Sequence, residues 1–191
     1  MISLKLNVNM DMLSEPLVDI TQGSIVDGVD FGFQENPLGI VLSNACDFLN
    51  DKIGFVIIAC LVPAKNVLLE SKEFKNKIEG VDEDKRISNK KWGKLKPFFD
   101  DYILNKGVTR YFFINPDPVL DAPFLFVDFQ HIVSIPFTNI NNLENIAQLN
   151  SPFREQMMVQ FASYTARIPI DRMKDTTKIV NALLEDYVIQ G

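Results

Sequence analysis

Short apolar stretches separated by glycine- and proline-containing turns dominate the first third of the chain. Residues 23–33 alternate apolar and polar side chains, and the three glycines among them predict a strand with a bend or bulge. A second strand is predicted at 40–42. The continuous apolar run at 55–61 is typical of a strand covered on both faces, and Pro63 ends it.

The spacing of the apolar residues changes after residue 64. Residues 65–106 place apolar side chains at helical spacing among many lysines and glutamates, which predicts a helical insertion. Strand patterns return at 108–114 and 124–135, with a turn-rich Asn-Pro-Asp-Pro sequence at 115–118 between them.

Helical spacing also marks the end of the chain. Ser151 and Pro152 predict an N-cap followed by a first-turn proline. One apolar stripe then follows at steps of three or four residues: Phe153, Met157, Phe161, Tyr164 and Ile168. A last helix is predicted at 174–188 with a second apolar stripe: Ile179, Val180, Leu183, Leu184 and Tyr187. We expect the first of these helices to pack on the strands.

These elements predict one domain over residues 1–191, of the α+β class. The expected architecture is a small, partly closed SH3-like β-barrel with strands in 1–64 and 107–140. A helical insertion occupies 65–106, and two C-terminal helices occupy 150–189.

Composition supports a folded, cytoplasmic protein. Hydrophobic residues make up 47% of the chain, including 15 Phe, which is ample material for a core. The longest apolar run has eight residues, at 55–62, whereas a membrane span needs about 20. The first 13 residues lack the features of a signal peptide, so no membrane association is expected. In that compartment Cys46 and Cys60 are expected to be reduced.

Charge is unevenly distributed. The net charge is −6, yet residues 85–96 hold six of the 19 basic residues and no acid. Lys90, Lys91, Trp92 and Lys94 are therefore the nucleic-acid candidates, with Trp92 able to stack on a base. The alternative is a solvated loop that Trp92 anchors to the core, and this interpretation is favoured because an acidic body repels polyanions.

Polar and reactive side chains follow directly on the strand at 40–42. Ser43, Asn44 and Asp47 are expected at the open end of the barrel, where they are candidates for a partner interface. Cys46 beside Asp47 is either a nucleophile next to an acid or a small buried hydrophobe, and we expect it to be mostly buried and not bonded to Cys60. Two cysteines and one histidine are too few for the usual zinc site, so neither a metal nor a cofactor is expected.

His131 is the third catalytic candidate, with Cys46 and Asp47. Strand alternation places His131 in phase with the core-facing residues Val127, Phe129, Val133 and Ile135. Asp128 and Gln130 then fall on the opposite face, where neither can orient the imidazole. A histidine in such a position is either a structural core residue or a general base in a cleft.

The penultimate helix offers a second interface candidate. Arg154 and Met158 lie off the apolar stripe, and arginine and methionine are enriched at protein interfaces. Arg154 and Met158 are therefore predicted to face a partner, whereas Phe161 is predicted to be core.

Three strand sequences resemble the toxin barrel of the PemK/MazF (CcdB-like) superfamily. They are Gly23-Ser24-Ile25-Val26, Ile40-Val41-Leu42-Ser43-Asn44 and Val56-Ile57-Ile58-Ala59-Cys60-Leu61, and the segment 126–148 is similar to the strand and short helix of that family. Ribonuclease activity in the family relies on an Arg before the second strand and a Ser or Thr after the third. This chain has Asn36-Pro37-Leu38 and Val62-Pro63-Ala64 there, so the resemblance implies the barrel without the family's catalytic residues.

A second resemblance is to uncharacterised bacterial proteins with an I-V-L-S-x-x-C-D strand end and a C-terminal S-P-F-R-E helix. Residues 39–47 and 151–168 match these motifs. Such proteins are associated with mobile-element and defence neighbourhoods, and the resemblance implies no activity.

The favoured function is a non-enzymatic interaction or assembly component of a bacterial system that is defence-related or toxin–antitoxin-like. Such a protein binds a partner protein or a second copy of itself. The alternative is a diverged PemK/MazF-like nuclease or nucleic-acid-binding toxin that uses Cys46, Asp47, His131 and the basic segment.

Overall fold

Seven strands form one antiparallel sheet in the computed structural model, which describes residues 11–33, 37–50, 53–78, 89–106 and 110–166. The strands are β1 (Leu13–Ser14), β2 (Ser24–Asp27), β3 (Gly39–Val41), β4 (Phe55–Pro63), β5 (Tyr111–Ile114), β6 (Leu125–Pro136) and β7 (Glu144–Leu149). They lie in the order β1-β7-β2-β3-β4-β6-β5, and every neighbouring pair is antiparallel.

Five α-helices and one short 3₁₀ helix accompany the sheet in the described ranges. The α-helices are α1 (Ala45–Leu49), α2 (Ala64–Glu70), α3 (Lys72–Ile78), α4 (Asn89–Ile103) and α5 (Phe153–Thr165), and the 3₁₀ helix is Phe137–Asn142. The helices α2, α3 and α4 lie between β4 and β5 in the sequence, as the helical spacing of residues 65–106 predicts.

The sheet curves until its two edges meet. The backbone N–H of Asn115, just after edge strand β5, donates to Sδ of Met12, just before edge strand β1, at 3.3 Å. A mixed α+β fold with a partly closed antiparallel sheet is therefore confirmed, and the SH3-like topology stays a prediction.

Two apolar clusters form the core, one on each side of the central strands. Because neighbouring strand residues point to opposite faces, Ile25 and Ile40 belong to one cluster, and Val26 and Val41 belong to the other. The first cluster contains the fully buried Met157 of α5, so this helix covers that side of the sheet.

The apolar stripe of α5 is confirmed in part. Phe153, Phe161 and Tyr164 are half-buried and pack against the first cluster, whereas Ile168 and the predicted helix at 174–188 lie outside the described residues. Met158 packs on the same cluster, so its assignment off the stripe is wrong. Ser151 does not cap α5: the N-cap residue is Pro152, and no side chain bonds the free N–H groups there.

Two of the strands, β1 and β7, are not predicted by the pattern of apolar and polar residues in the sequence. β1 has only two residues, and β7 (ENIAQL) shows little alternation, yet β7 pairs with both β1 and β2. The predicted cover on both faces of β4 holds only from Ile58 to Leu61, because Phe55 and Ile57 are exposed.

Candidate functional site

The strand end at 43–47 forms a tight turn into helix α1. Ser43 is buried, and its Oγ accepts the Ile57 backbone N–H at 2.8 Å. Asn44 is the N-cap of α1, because its Oδ1 accepts the Cys46 backbone N–H at 3.2 Å. Asp47 lies exposed in the first turn of this helix.

Cys46 is exposed, so the expectation that it is buried is wrong. The reason is that it does not end a strand: it occupies the second position of α1, whose described residues include no buried side chain. Neither Cys46 nor Cys60 forms a disulfide, as expected.

A second group of polar side chains lies at the middle of β6. The Asp128 side chain is 2% exposed and accepts two parallel hydrogen bonds from Arg110, Nε to Oδ1 and Nη2 to Oδ2, both at 2.8 Å. Its Oδ2 also contacts Nδ1 of His131 at 2.8 Å, and its Oδ1 accepts the Gln130 backbone N–H at 3.1 Å. We call Arg110, Asp128 and His131 the Asp128 cluster.

A bulge in β6 explains why Asp128 and His131 meet. Cys60 of β4 pairs with Asp128 and the preceding Ala59 pairs with Ile132, so the three residues between Asp128 and Ile132 have no partner on β4. An inserted stretch of this kind breaks the strict alternation of side chains. The expectation that Asp128 lies on the opposite face from His131 is therefore wrong.

His131 does not lie on the core face either. Its side chain is 46% exposed, and the ring of Phe33 packs edge-on against it with centroids 5.5 Å apart. Because Nδ1 contacts the carboxylate, Nε2 is the ring nitrogen that this contact leaves unused. The carboxylate thus fixes both the tautomer and the orientation of an accessible base.

Arg110 is the cationic member of the Asp128 cluster. Only two of its five N–H groups are used on Asp128, and its side chain is 37% exposed. The guanidinium also lies over the ring of Tyr111, with Cζ 4.7 Å from the centroid. The hydrogen bonds to Asp128 raise the pKa of Arg110 further, so the group stays cationic.

The other titratable groups near Asp128 are not suited to nucleophilic roles. Burial, reinforced by the charge of Asp128, raises the pKa of the Cys60 thiol to about 11, so this cysteine stays protonated. Burial likewise raises the pKa of Tyr111 to about 12. Among the described residues, no group of three or more His, Cys, Asp or Glu side chains is placed to hold a metal ion.

Arg154, an interface candidate on α5, is less exposed than the sequence suggests. Arg154 pairs with the adjacent Glu155 through Nη2 and Oε1 at 2.8 Å, which lowers the pKa of Glu155. The aliphatic part of Arg154 packs against Gly23 at the start of β2. Arg154 therefore contributes to the contact between α5 and the start of β2.

The described part of the basic segment is helical. Residues 89–96 belong to α4, so the prediction of a solvated loop is wrong for this half, and residues 85–88 lie outside the described ranges. Lys90 and Lys94 are exposed, whereas the side chains of Lys91 and Trp92 are outside what the structure describes.

Sequence reasoning missed Arg110, Asp128 and Tyr111. An acidic residue inside the apolar sequence FLFVDF at 124–129 was an available signal, because a buried carboxylate needs a charged or hydrogen-bonding partner. The identity of that partner depends on the pairing of β5 with β6, which sets Tyr111 opposite Asp128.

Comparisons with known proteins add little to this geometry. No family model matches the sequence, and no match is found among curated proteins. In the part of the chain that the structure describes, no helix has the length and apolar character to cross a membrane.

One solved structure that matches is described as an endoribonuclease in complex with its cognate antitoxin from Mycobacterial species. It is 10% identical and the match covers 80% of this chain and 100% of that chain, with a TM-score of 0.43. A TM-score below 0.5 does not establish a shared fold, so we base the proposed function on the residues of this chain alone.

Proposed function

We propose that the protein is a diverged nuclease that cleaves RNA at the Asp128 cluster. The observation that carries this proposal is the pairing of an accessible imidazole and a half-exposed guanidinium on one buried carboxylate. Cleavage of a phosphodiester needs a proton acceptor for the nucleophile and a cation for the charge that develops on phosphorus. His131 and Arg110 are groups of these two kinds.

RNA carries its own nucleophile, which suits a site with a single base. In the proposed reaction, Nε2 of His131 takes the proton of a ribose 2′-hydroxyl, and the 2′-oxygen forms a bond to phosphorus. The bond from phosphorus to the 5′-oxygen breaks, and that oxygen takes a proton from water. The free N–H groups of Arg110 donate to the non-bridging oxygens as their charge increases.

Asp128 is a positioning residue in this proposal. Its Oδ2 holds Nδ1 of His131, and its two oxygens hold the plane of the Arg110 guanidinium. Locked groups of this kind need no reorganisation when substrate binds. The net charge of −6 opposes RNA binding, so the attraction for a phosphate rests on local cations such as Arg110, and this attraction weakens with added salt.

The test is cleavage of a labelled single-stranded RNA of mixed sequence at low salt, with the all-deoxy strand as substrate control. We expect His131→Ala and Arg110→Ala to lose at least about 100-fold in rate, a typical loss for a general base or an oxyanion donor. Gln130→Ala is the matched control, because it removes the exposed neighbouring side chain of the same bulge.

Two results would overturn the proposal. One is cleavage of the all-deoxy strand at the same rate as RNA, since that strand lacks the 2′-hydroxyl. The other is RNA cleavage that survives His131→Ala but disappears in Cys46→Ser, which would move the chemistry to the strand end at 43–47.

A second candidate is an assembly component without enzymatic activity, in a toxin–antitoxin-like or other defence-related bacterial system. An open apolar groove beside α2 and α4 favours it, because a large exposed apolar surface marks an interaction site. Light scattering on the purified protein and on its mixture with the product of a neighbouring gene tests it. A strict monomer that forms no complex would exclude this role.

A further inference from the structure

The loop after β2 carries an aromatic side chain to the Asp128 cluster. Phe31 is half-buried and packs against the second core cluster, which anchors the loop on the sheet. The chain then turns sharply: Oδ1 of Asp30 accepts the Gly32 backbone N–H at 2.8 Å, and Gly32 has a φ of +77°. Phe33 follows directly, and its ring meets the ring of His131.

The ring of Phe33 has room for a second planar group. Its plane makes an angle of 81° with the imidazole of His131, with centroids 5.5 Å apart, which is an edge-to-face pair. In such a pair the imidazole covers at most one face of the phenyl ring. Since the Phe33 side chain is 47% exposed, another flat molecule can stack on it beside His131.

The chemistry proposed for His131 identifies this flat molecule. In RNA, the 2′-hydroxyl and the base are attached to neighbouring carbons of one ribose. A ribose whose 2′-hydroxyl reaches Nε2 of His131 therefore carries its own base close to the adjoining ring of Phe33. Every nucleobase has a π-face, and proteins commonly hold an unpaired base by stacking it on an aromatic side chain.

We infer that Phe33 is the stacking platform for the base on the 5′ side of the scissile phosphate. Phe33 has this role only if cleavage occurs at the Asp128 cluster, so the inference rests on the proposed function. Arg110 and His131 act on phosphate and ribose, which are the same in every nucleotide. Phe33 adds a requirement for the base itself, and a base paired within a duplex must leave its stack to meet this requirement.

A substrate with one cleavable position tests the role of Phe33. In a deoxy strand that contains a single ribonucleotide, this chemistry can break the chain only after that ribose. One strand carries adenine on the ribose, and the other carries hydrogen in place of the base. For the wild type, loss of the base should raise KM roughly 5- to 100-fold, the range expected from stacking, with kcat little changed.

The variant Phe33→Ala should raise KM for the adenine strand by a similar factor. The same variant should no longer distinguish the two strands, because removal of the base and removal of the ring abolish one contact and their effects do not add. Phe33→Tyr keeps an aromatic face and should restore both the lower KM and the discrimination.

Phe55→Ala is the matched control. Phe55 is more exposed than Phe33, at 63%, but alternation places it on the same face of β4 as Ala59. Asp128 lies opposite Cys60, which belongs to the other face of β4. Loss of the Phe55 ring should therefore leave KM for both strands unchanged.

Two results would overturn the inference and leave the proposed cleavage intact. One is a lower kcat with unchanged KM in Phe33→Ala, which would show that the ring only holds His131 in place. The other is a Phe33→Ala variant that still discriminates against the strand without the base.

A binding measurement decides the role of Phe33 independently of cleavage. The probe is a deoxy strand with one 2-aminopurine on a 2′-fluoro ribose, which has no 2′-hydroxyl and cannot be cleaved by this chemistry. Quenching of its fluorescence by the wild type, lost in Phe33→Ala and kept in Phe55→Ala, supports stacking on Phe33 even if no RNA is cleaved and the proposed function fails. Absence of quenching by the wild type would overturn the inference even if RNA is cleaved.

Discussion

Removal of the Arg110 side chain should destabilise the fold more than the loss of any ordinary surface ion pair. Arg110→Ala leaves the Asp128 carboxylate, which is 2% exposed, with one side-chain partner, His131, and the Gln130 backbone N–H. A buried charge that loses its main counter-ion keeps its desolvation cost without the compensating hydrogen bonds.

The size of the effect follows from the two bonds lost. A hydrogen bond to a charged group is worth about 1.5–3 kcal/mol, so two such bonds set an upper range of roughly 3–6 kcal/mol. The Arg110 side chain is 37% exposed, and water screens the ion pair to that extent, so we expect a loss of about 2–3 kcal/mol. That is a substantial share of a typical stability of about 5–15 kcal/mol.

Urea unfolding followed by circular dichroism measures this loss, and the chain offers a matched control. Lys96 and Asp100 form an ion pair at 2.6 Å on the surface of α4, with side chains 59% and 43% exposed, so Lys96→Ala should cost less than about 0.5 kcal/mol. The combined change Arg110→Met with Asp128→Leu should recover much of the stability, because it removes the buried charge with its partner. Equal losses for Arg110→Ala and Lys96→Ala would refute this account of the Asp128 cluster.

The remaining predictions concern the cysteines and glycines. A thiol reagent should label the exposed Cys46 in the native protein within minutes and Cys60 only after unfolding, and equal rates for both would contradict their assigned burial. The pKa of Cys60 is raised to about 11 from 9.0, so the thiol loses its proton at lower pH in the unfolded chain than in the folded one. The contribution of this thiol to stability should be constant below about pH 8 and fall by about 1 kcal/mol at pH 10, and unfolding curves at pH 8 and 10 should show a smaller fall for Cys60→Ala. Gly23→Ala should cost more than Gly32→Ala: both positions have a positive φ, but a Cβ at Gly23 would lie 2.9 Å from Nε2 of Gln148, whereas one at Gly32 meets nothing within 4 Å. Thermal melts of the two variants compare them, and equal melting temperatures would show that the crowding at Gly23 relaxes freely.

The strands and helices with clear local patterns could be predicted from the sequence, and the Asp128 cluster could not. The continuous apolar run at 55–61 marks a strand, and the spacing from Phe153 to Tyr164 marks a helix, and both signals are local in the sequence. β7 lacked such a period and is held by its pairing with β1 and β2, which is a long-range property.

The errors at Cys46 and His131 have local causes of a different kind. The Asn44 cap turns the chain into α1 and thereby exposes Cys46, where the pattern suggested a continuing buried strand end. His131 was placed by strict alternation, and the bulge in β6 breaks that alternation. A helix cap or a β-bulge changes the backbone direction at one or a few residues. A hydrophobic pattern read over several residues therefore does not detect it.

The bulge in β6 also separates His131 from the two stretches of β6 that pair with β4. Residues 125–128 and 132–136 are each fixed by their own partners on β4, whereas the residues between them have none. Gln130 and His131 are exposed, whereas Phe129 is buried in the first cluster, so a change at 130 or 131 leaves both ladders in register. A deletion inside either ladder would instead exchange the two faces of the strand. His131 is therefore the one member of the Asp128 cluster that lies in the unpaired stretch, so it can be altered over evolutionary time while the pairing of β4 with β6 remains intact.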